Sequence, residues 1–374
     1  MLRLRKALYG LKQAPRAWYS RIDQYFMDQG FRRSKSEPTL YIKSQDQYTL
    51  LLSLYVDDLI YTGNNTKMIT EFKEDMMKTF EMTDLGLMSY FLGIKVSQRN
   101  EGIFISQKKY TEGLLKKFKM YGCKPVATPL ITNEKLQKND GAPEGDASKY
   151  QSLIGSLLYL TATRSDIMYA TSLLSRFMQS PSQIHFGAGK RILRYLQGTK
   201  ELGIWYSTET NSGLLGYTDS DWAGSVDDMK STSGYAFSLG SGIFSWASKK
   251  QATIAQSTAE AEYVAATEAT SQAIWLRRIL EDMGEKQDQP TKINCDNKSA
   301  ITMAKNPVHH SRTKHIAIKY HFIREAEATK EIKLDYCRTE DQIADIFTKA
   351  LPRPRFEELR AMLGVKEICI KEEC

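Results

Sequence analysis

Six carboxylates carry the chemistry this sequence could do. Two are adjacent: Asp57 and Asp58 sit in SLYVDDLIYTG, between Leu54-Tyr55-Val56 and Leu59-Ile60-Tyr61. Buried unpaired carboxylates are costly in such a run, which leaves two readings, a tight turn or half of a metal site. The other four are dispersed through the second half of the chain. Asp219, in GLLGYTDSDWAG, shares strand parity with Leu215 and Tyr217, as does Asp221; the alternative is that both merely end a strand. Glu262, in QSTAEAEYVAAT, lies on a helix face with Ala266, Ala269 and Ala273, small residues that let a helix approach a sheet closely. Ser257 and Glu260 form a capping box there; for Glu262 the alternative is a solvated first-turn residue favoured by the helix dipole. Asp296, in KINCDNKSAI, ends a short strand and precedes a helix. It could cap that helix, but strand ends of this kind also bind ligands in open α/β sheets. Asp345, in RTEDQIADIFTKAL, follows a second apparent capping box, Thr339 with Gln342. It shares an i, i+4 row with Asp341 and Lys349, so a surface ion pair with Lys349 is its alternative.

These residues need elements to hold them. Residues 14–30 read as a helix, 39–63 as strands joined by turns at Ser44-Gln45-Asp46 and Asp57-Asp58, 66–80 as a helix, 90–106 as a hairpin and 107–120 as a basic helix. Lys124 to Asp146, with three prolines and two glycines, reads as a linker. Helices are expected over about 148–162, 165–178 and 182–197. From Leu202 the texture changes to Gly- and Ser-separated strands (GIWYS, LLGYTDSDW, GYAFSLG, GIFSWASKK). A long helix over about 258–283 follows. Then come a strand at 292–295, helices at 298–305 and 313–327, a strand at 332–336 and a helix at 340–350. Strands first, then alternating β and α, predict one mixed sheet with helices on its faces.

Length allows two or three domains, and 41% hydrophobic with 26% charged residues is a globular balance. The five cysteines form no CxxC pair, so neither a zinc site nor a disulfide framework is indicated. The first six residues are charged with no apolar h-region behind them, and no apolar run reaches the ~20 residues of a membrane span. An intracellular, reduced compartment is expected: the cytoplasm, with a virus-like particle or the nucleus as alternatives. The net charge of +8 is uneven: residues 1–205 carry +11 (30 Lys+Arg against 19 Asp+Glu) and residues 206–374 carry −3 (22 against 25). A basic half suits phosphate contact and an acidic one suits metal ions.

The words TDSDWAGS, STSGY, QSTAEAEYVA, CDNKSAI, RTKHIAIKYHFIRE and EDQIADIFTKALP resemble the ribonuclease H domain of copia-type retrotransposon Pol polyproteins. KALYGLKQAPRAWY, YVDDLIYTG, LGLMSYFLGIKV, KPVATPL and GSLLYLTATRSDIMYA resemble their reverse transcriptase, and the likeness runs from Lys6 to Gly364. The resemblance implies an α/β (α+β) fold: a partial polymerase palm over 1–124, a linker over 125–147, a helical connection over 148–200 and a ribonuclease H-like five-stranded mixed sheet with flanking helices over 201–374. It implies cleavage of RNA in RNA–DNA hybrids with two Mg²⁺ ions, or Mn²⁺, held by Asp219, Glu262, Asp296 and Asp345. Hard oxygen ligands suit such ions. It assigns Asp57 and Asp58 to a palm hairpin that also holds metal.

Lys12, Arg16, Lys298, Arg312, Lys314 and His315 are the expected nucleic-acid contacts, and no membrane is expected as a partner. Four of the five histidines, His309, His310, His315 and His321, cluster too irregularly to suggest a metal site. Several positions depart from the family. No histidine lies between Tyr336 and Asp341, Ala317 replaces an acidic residue, and Lys95 and Ser165 stand where Glu and Pro are usual. Polymerase chemistry also needs an upstream Asp on a neighbouring strand. Asp23 and Asp28 fall on or beside a helix and Asp46 in a turn, so none has the right context. The expectation is an N-terminally truncated fragment whose palm is inactive alone and whose ribonuclease H part is the enzyme. The competing reading is an inert nucleic-acid-binding remnant.

Overall fold

The computed structural model describes residues 10–208, 213–305 and 321–368. It divides into two compact units: Met1–Leu87 with Trp275–Asp288, and Met88–Ile274 with Gln289–Cys374.

In the first unit α1 (Ala14–Asp28) and α2 (Thr66–Thr79) pack on one face of an antiparallel meander of β1 (Arg32–Arg33), β2 (Leu40–Gln45), β3 (Tyr48–Tyr55) and β4 (Asp58–Gly63). The patterning explains the layers. Leu50, Leu52 and Leu54 are buried at every second position of β3, and Met68, Phe72 and Met76 at every fourth position of α2. With Ile22 and Phe26 of α1 they form one core. The Asn65 side chain caps α2 by accepting from the Met68 N–H at 3.0 Å. Both hairpins are two-residue turns, Asp46-Gln47 between paired Gln45 and Tyr48, and Val56-Asp57 between paired Tyr55 and Asp58.

The second unit holds two five-stranded sheets. The first is antiparallel, in the order β14-β8-β7-β6-β5, from β5 (Tyr90–Phe91), β6 (Ile94–Arg99), β7 (Gly102–Ser106), β8 (Leu202–Ser207) and β14 (Val365–Glu367). The strand GIWYS thus pairs with the 102–106 strand, with Ile105 opposite Ile204, and does not join the sheet that carries Asp219. A boundary at residue 200 would cut this sheet. Helices α3 (Lys108–Lys117), α4 (Ala147–Leu160), α5 (Met168–Ser175) and α6 (Gln183–Gln197) share a core with it.

The segment read as a linker is strapped down. Leu130 and Leu136 are buried, Gly145 N–H donates to Pro181 O at 2.7 Å, and Arg194 Nε donates to Lys124 O at 2.9 Å. Elsewhere in this unit Arg164, buried, forms a bidentate pair with Asp166 (Nε to Oδ1 3.0 Å, Nη2 to Oδ2 2.8 Å).

The second sheet has the order β11-β10-β9-β12-β13. β9 (Leu215–Ser220), β10 (Thr232–Ser238) and β11 (Ile243–Lys250) are antiparallel; β12 (Thr291–Cys295) and β13 (Ile332–Tyr336) run parallel to β9. This is the mixed sheet anticipated. Among the described residues the helices of this part of the chain are α7 (Thr258–Asp282), whose residues from Trp275 on are counted in the first unit, α8 (Lys298–Lys305), α9 (Phe322–Ala328) and α10 (Arg353–Met362). The helix expected over 340–350 is instead two 3-10 turns, Thr339–Asp341 and Ile343–Phe347, broken at Gln342. No described helix is long and apolar enough to cross a membrane.

Candidate metal centre

β9 is the middle strand of its sheet, and Asp219 lies near its C-terminal end, buried and paired across the ladder with Gly234. Parallel β12 ends at the same rim, so the next residue, Asp296, arrives beside it. Ser257 caps α7 by accepting from the Glu260 N–H (3.2 Å), while the Glu260 carboxylate reaches back to the Gln256 N–H (2.8 Å). Glu260 thus has the structural task assigned to it, and Glu262 turns inward, buried, above Ala266, Ala269 and Ala273. One ligand atom each from Asp219, Glu262 and Asp296 lie within 4.8 Å of one another, the one such acidic, His or Cys group among the described residues.

Asp345 comes from the second 3-10 turn and is buried too. It does not join that close triad. Its Oδ1 lies 2.8 Å from Lys349 Nζ, which is 3.8 Å from Asp219 Oδ2. The ion pair weighed from sequence is therefore present, but it is not a surface pair.

Buried like charges set the electrostatics. Burial first, then Asp219 and Asp296, push the Glu262 carboxyl well above its ordinary value. Burial and Asp219 push Asp345 up to about 7 against the pull of Lys349. Burial and Asp219 also raise Asp296, with Thr339 opposing. Carboxylates that resist ionisation together are a donor set that a dication would relieve, and all-oxygen donors suit a hard divalent ion. The fit is good.

Three residues position this site in roles that were not anticipated. Gly234 has no Cβ where one would lie 2.7 Å from Phe347 Cβ and 2.8 Å from Thr348 Cγ2, so the 343–348 turn can settle onto β10. Gln251, buried, donates through Nε2 to Ser220 Oγ (3.1 Å), Ser233 Oγ (3.0 Å) and Ala261 O (2.9 Å), tying β9 and β10 to the first turn of α7 beside Glu262. Gln342, fully buried, donates to Thr218 O (2.9 Å) and accepts from the Ala344 N–H (3.2 Å). This corrects the second capping box: Gln342 anchors the turn to β9, and Thr339 Oγ1 donates instead to Asp296 Oδ2 at 3.0 Å. A glutamine within an otherwise strand-like or apolar stretch is the signal that could have flagged Gln251 and Gln342; nothing local flags Gly234. Asp221 has its own task, accepting from the Thr232 N–H, and burial pushes it up to about 6.

The YVDD hairpin is different. Asp58 opens β4 and Asp57 is the second turn residue, both exposed. Val56, in the left-handed region at φ 55°, is half exposed, and its carbonyl accepts from Trp18 Nε1 at 2.7 Å. No third carboxylate joins the pair among the described residues. Asp23 binds Tyr41 Oη (2.8 Å) and Arg33 (3.2 Å), Asp28 accepts from Gln24 (2.8 Å), and Asp46 occupies the other hairpin turn.

Lys12 and Arg16 are exposed at the start of α1. Lys298 is exposed at the start of α8, its Nζ 4.6 Å from the Tyr336 ring centroid. Arg312, Lys314 and His315 lie outside the described residues, as do His309, His310 and Ala317. His321 is described, and its Nδ1 lies 3.0 Å from Tyr263 Oη.

Comparisons with known proteins bear on all of this. The reverse transcriptase (RNA-dependent DNA polymerase) family matches residues 1–132. The retrovirus-related Pol polyprotein from transposon RE2 of Arabidopsis thaliana is 40% identical over 98% of this chain, which spans 25% of that protein's length. A putative transposon Ty5-1 protein of Saccharomyces cerevisiae is 34% identical over 70% of this chain and 86% of its own. A solved structure of LC11-RNase H1 in complex with RNA/DNA hybrid covers 36% of this chain and 94% of its own, at 13% identity and a TM-score of 0.28, too low to add to the sheet order described above. The chain spans about a quarter of the length of the first of these relatives. With 40% identity running along nearly all of its residues, the chain belongs to the family of copia-type retrotransposon Pol polyproteins.

Proposed function

We propose that this chain hydrolyses the RNA strand of RNA–DNA hybrids with Mg²⁺, at Asp219, Glu262, Asp296 and Asp345, Mn²⁺ being the alternative ion. The observation that carries the reading is the convergence of Asp219, Glu262 and Asp296 at one rim of the mixed sheet, with Asp345 bound through Lys349 beside them. Bound divalent ions supply Lewis-acid stabilisation of the phosphoryl oxygens and a water of lowered pKa. The chain's own residues do the positioning. Gln251 holds the α7 turn at the ends of β9 and β10, Gln342 holds the 3-10 turn, and Thr339 and Thr348 orient Asp296 and Asp219. Lys12, Arg16 and Lys298 would contact phosphates, and the same role is assigned to Arg312, Lys314 and His315. Asp57 and Asp58, without a third carboxylate among the described residues, would not support polymerisation by this chain alone.

A labelled hybrid incubated with the purified chain tests the reading. Products are expected with Mg²⁺, none with EDTA, and none from Asp296→Asn. Salt-sensitive binding of the hybrid without products would favour an inert remnant. Cleavage indifferent to Asp296→Asn would place the site elsewhere. Primer extension on an RNA template is expected to give no dNTP incorporation.

A further inference from the structure

Of the four carboxylates, Asp345 is the one outside the close triad, and it is the one nearest Lys349, at 2.8 Å against 3.8 Å for Asp219. The side chains of Asp345 and Asp219 are 5% and 3% exposed, whereas that of Lys349 is 42% exposed. The lysine therefore enters from solvent and delivers its ammonium to two buried acids. Thr348, the residue before it, donates to Asp219 Oδ2, so one short segment neutralises and orients that carboxylate. Among the described residues no other ion pair is made to Asp219, Glu262, Asp296 or Asp345.

We propose that Lys349 is the resident counter-ion of the acidic centre, its ammonium and a divalent cation being alternative occupants of the Asp345–Asp219 pair. The inference rests on the metal-ion reading above. An ammonium bridging two carboxylates occupies the oxygens a dication would use, and like charges within a few ångströms repel in a partly desolvated site. Lysine suits such an exchange: a compact charge on a flexible four-carbon stem, unlike the rigid fork of arginine. With a dication held by Asp345 and Asp219, the Lys349 ammonium, on a side chain already 42% exposed, would lie at the rim and be available to a nucleic-acid phosphate. Lys349 is thus a positioning residue in the metal-free chain.

The test uses the full chain and Mg²⁺ alone. Lys349→Met is expected to lower the melting temperature in EDTA and to bind Mg²⁺ about three- to tenfold more tightly by calorimetry, since one competing charge is gone. Equal or weaker Mg²⁺ binding by Lys349→Met overturns the proposal. A second measurement needs no variant. Reductive methylation of wild-type chain, read by mass spectrometry, should label Lys349 faster with Mg²⁺ than with EDTA; unchanged or slower labelling overturns the proposal. Asp345→Asn separates the two readings. If wild type and Asp345→Asn show the same absence of Mg²⁺ binding, the metal reading fails and this one with it. If wild type binds and Asp345→Asn does not, while Lys349→Met binds as wild type does, the counter-ion proposal alone fails.

Discussion

Gly234 faces Asp219 across the β9–β10 ladder, and the absent Cβ is what lets Phe347 and Thr348 reach that position. Replacing Gly234 with Ala puts a carbon within 2.7 Å of Phe347 Cβ and 2.8 Å of Thr348 Cγ2, neither of which is a flexible chain end. The turn carrying Asp345 must lift. Overpacking of this kind costs about 1–3 kcal/mol. Gly234→Ala should lower the urea midpoint of the second unit and weaken Mg²⁺ binding together. A variant as stable as wild type would show that the turn is not seated on the glycine.

The raised carboxyls make stability depend on pH in a stated direction. Asp345 titrates at about 7 in the folded chain, above its ordinary value of 3.8. The folded state therefore holds a proton that the unfolded state has lost, so stability falls as pH rises from about 4 to about 7 and levels off above. Glu262 acts in the same direction. A bound dication replaces those protons, so Mg²⁺ should raise the melting temperature more at pH 8 than at pH 5.5. Scanning calorimetry with Mg²⁺ and with EDTA at both values checks this; an equal increment at both would contradict it.

The buried Arg164–Asp166 pair predicts a large loss. Arg164 also donates to Thr199 O and Thr199 Oγ1, both at 2.8 Å, and Tyr195 Oη donates to Asp166. Asp166→Ala strands a guanidinium that is 1% exposed, which costs about 3–5 kcal/mol. Burial pushes Asp166 up, but Arg164 and Tyr195 overcome it and hold the carboxyl below its ordinary value. This contribution is present above about 3.8, the unfolded value, and is lost as pH falls through the lower folded one. Urea unfolding of Asp166→Ala at neutral pH measures it; a loss under 1 kcal/mol would mean that the arginine finds water.

The legible parts of the chain are those written in local pattern. Leu50, Leu52 and Leu54 alternate as a half-buried strand must, and Ser257 with Glu260 caps the helix that aims Glu262. Asp296 was legible as a strand-end residue, and Asp219 by its strand parity with Leu215 and Tyr217. What was not legible depends on partners distant in sequence. GIWYS reads as a strand, yet its pairing with residues 102–106 is absent from its own pattern. The 340–350 segment has helical spacing, but Gln342 is drawn to Thr218 O and Thr339 to Asp296, so tertiary hydrogen bonds break the helix into 3-10 turns. Gly234 and Gln251 matter only through what approaches them.

The YVDD hairpin stores strain that can be released. A two-residue turn favours Gly, Asn or Asp where φ is positive, and Val56 at φ 55° is β-branched in a region that such residues avoid. Conformations of this kind cost about 1–3 kcal/mol and persist where the surroundings enforce them. Here the paired strands and the Trp18 bond to Val56 O do so. Val56→Gly removes the side-chain clash and keeps the carbonyl, so the gain from relieved strain should exceed the added entropy of the unfolded chain. Hydrogen exchange is the readout: amides of 48–63 should exchange several-fold more slowly in Val56→Gly, with the proposed hybrid cleavage unchanged, since that proposal places it at Asp219, Glu262, Asp296 and Asp345. Faster exchange would mean that the valine side chain, 58% exposed, is packed well enough to stabilise the turn it strains.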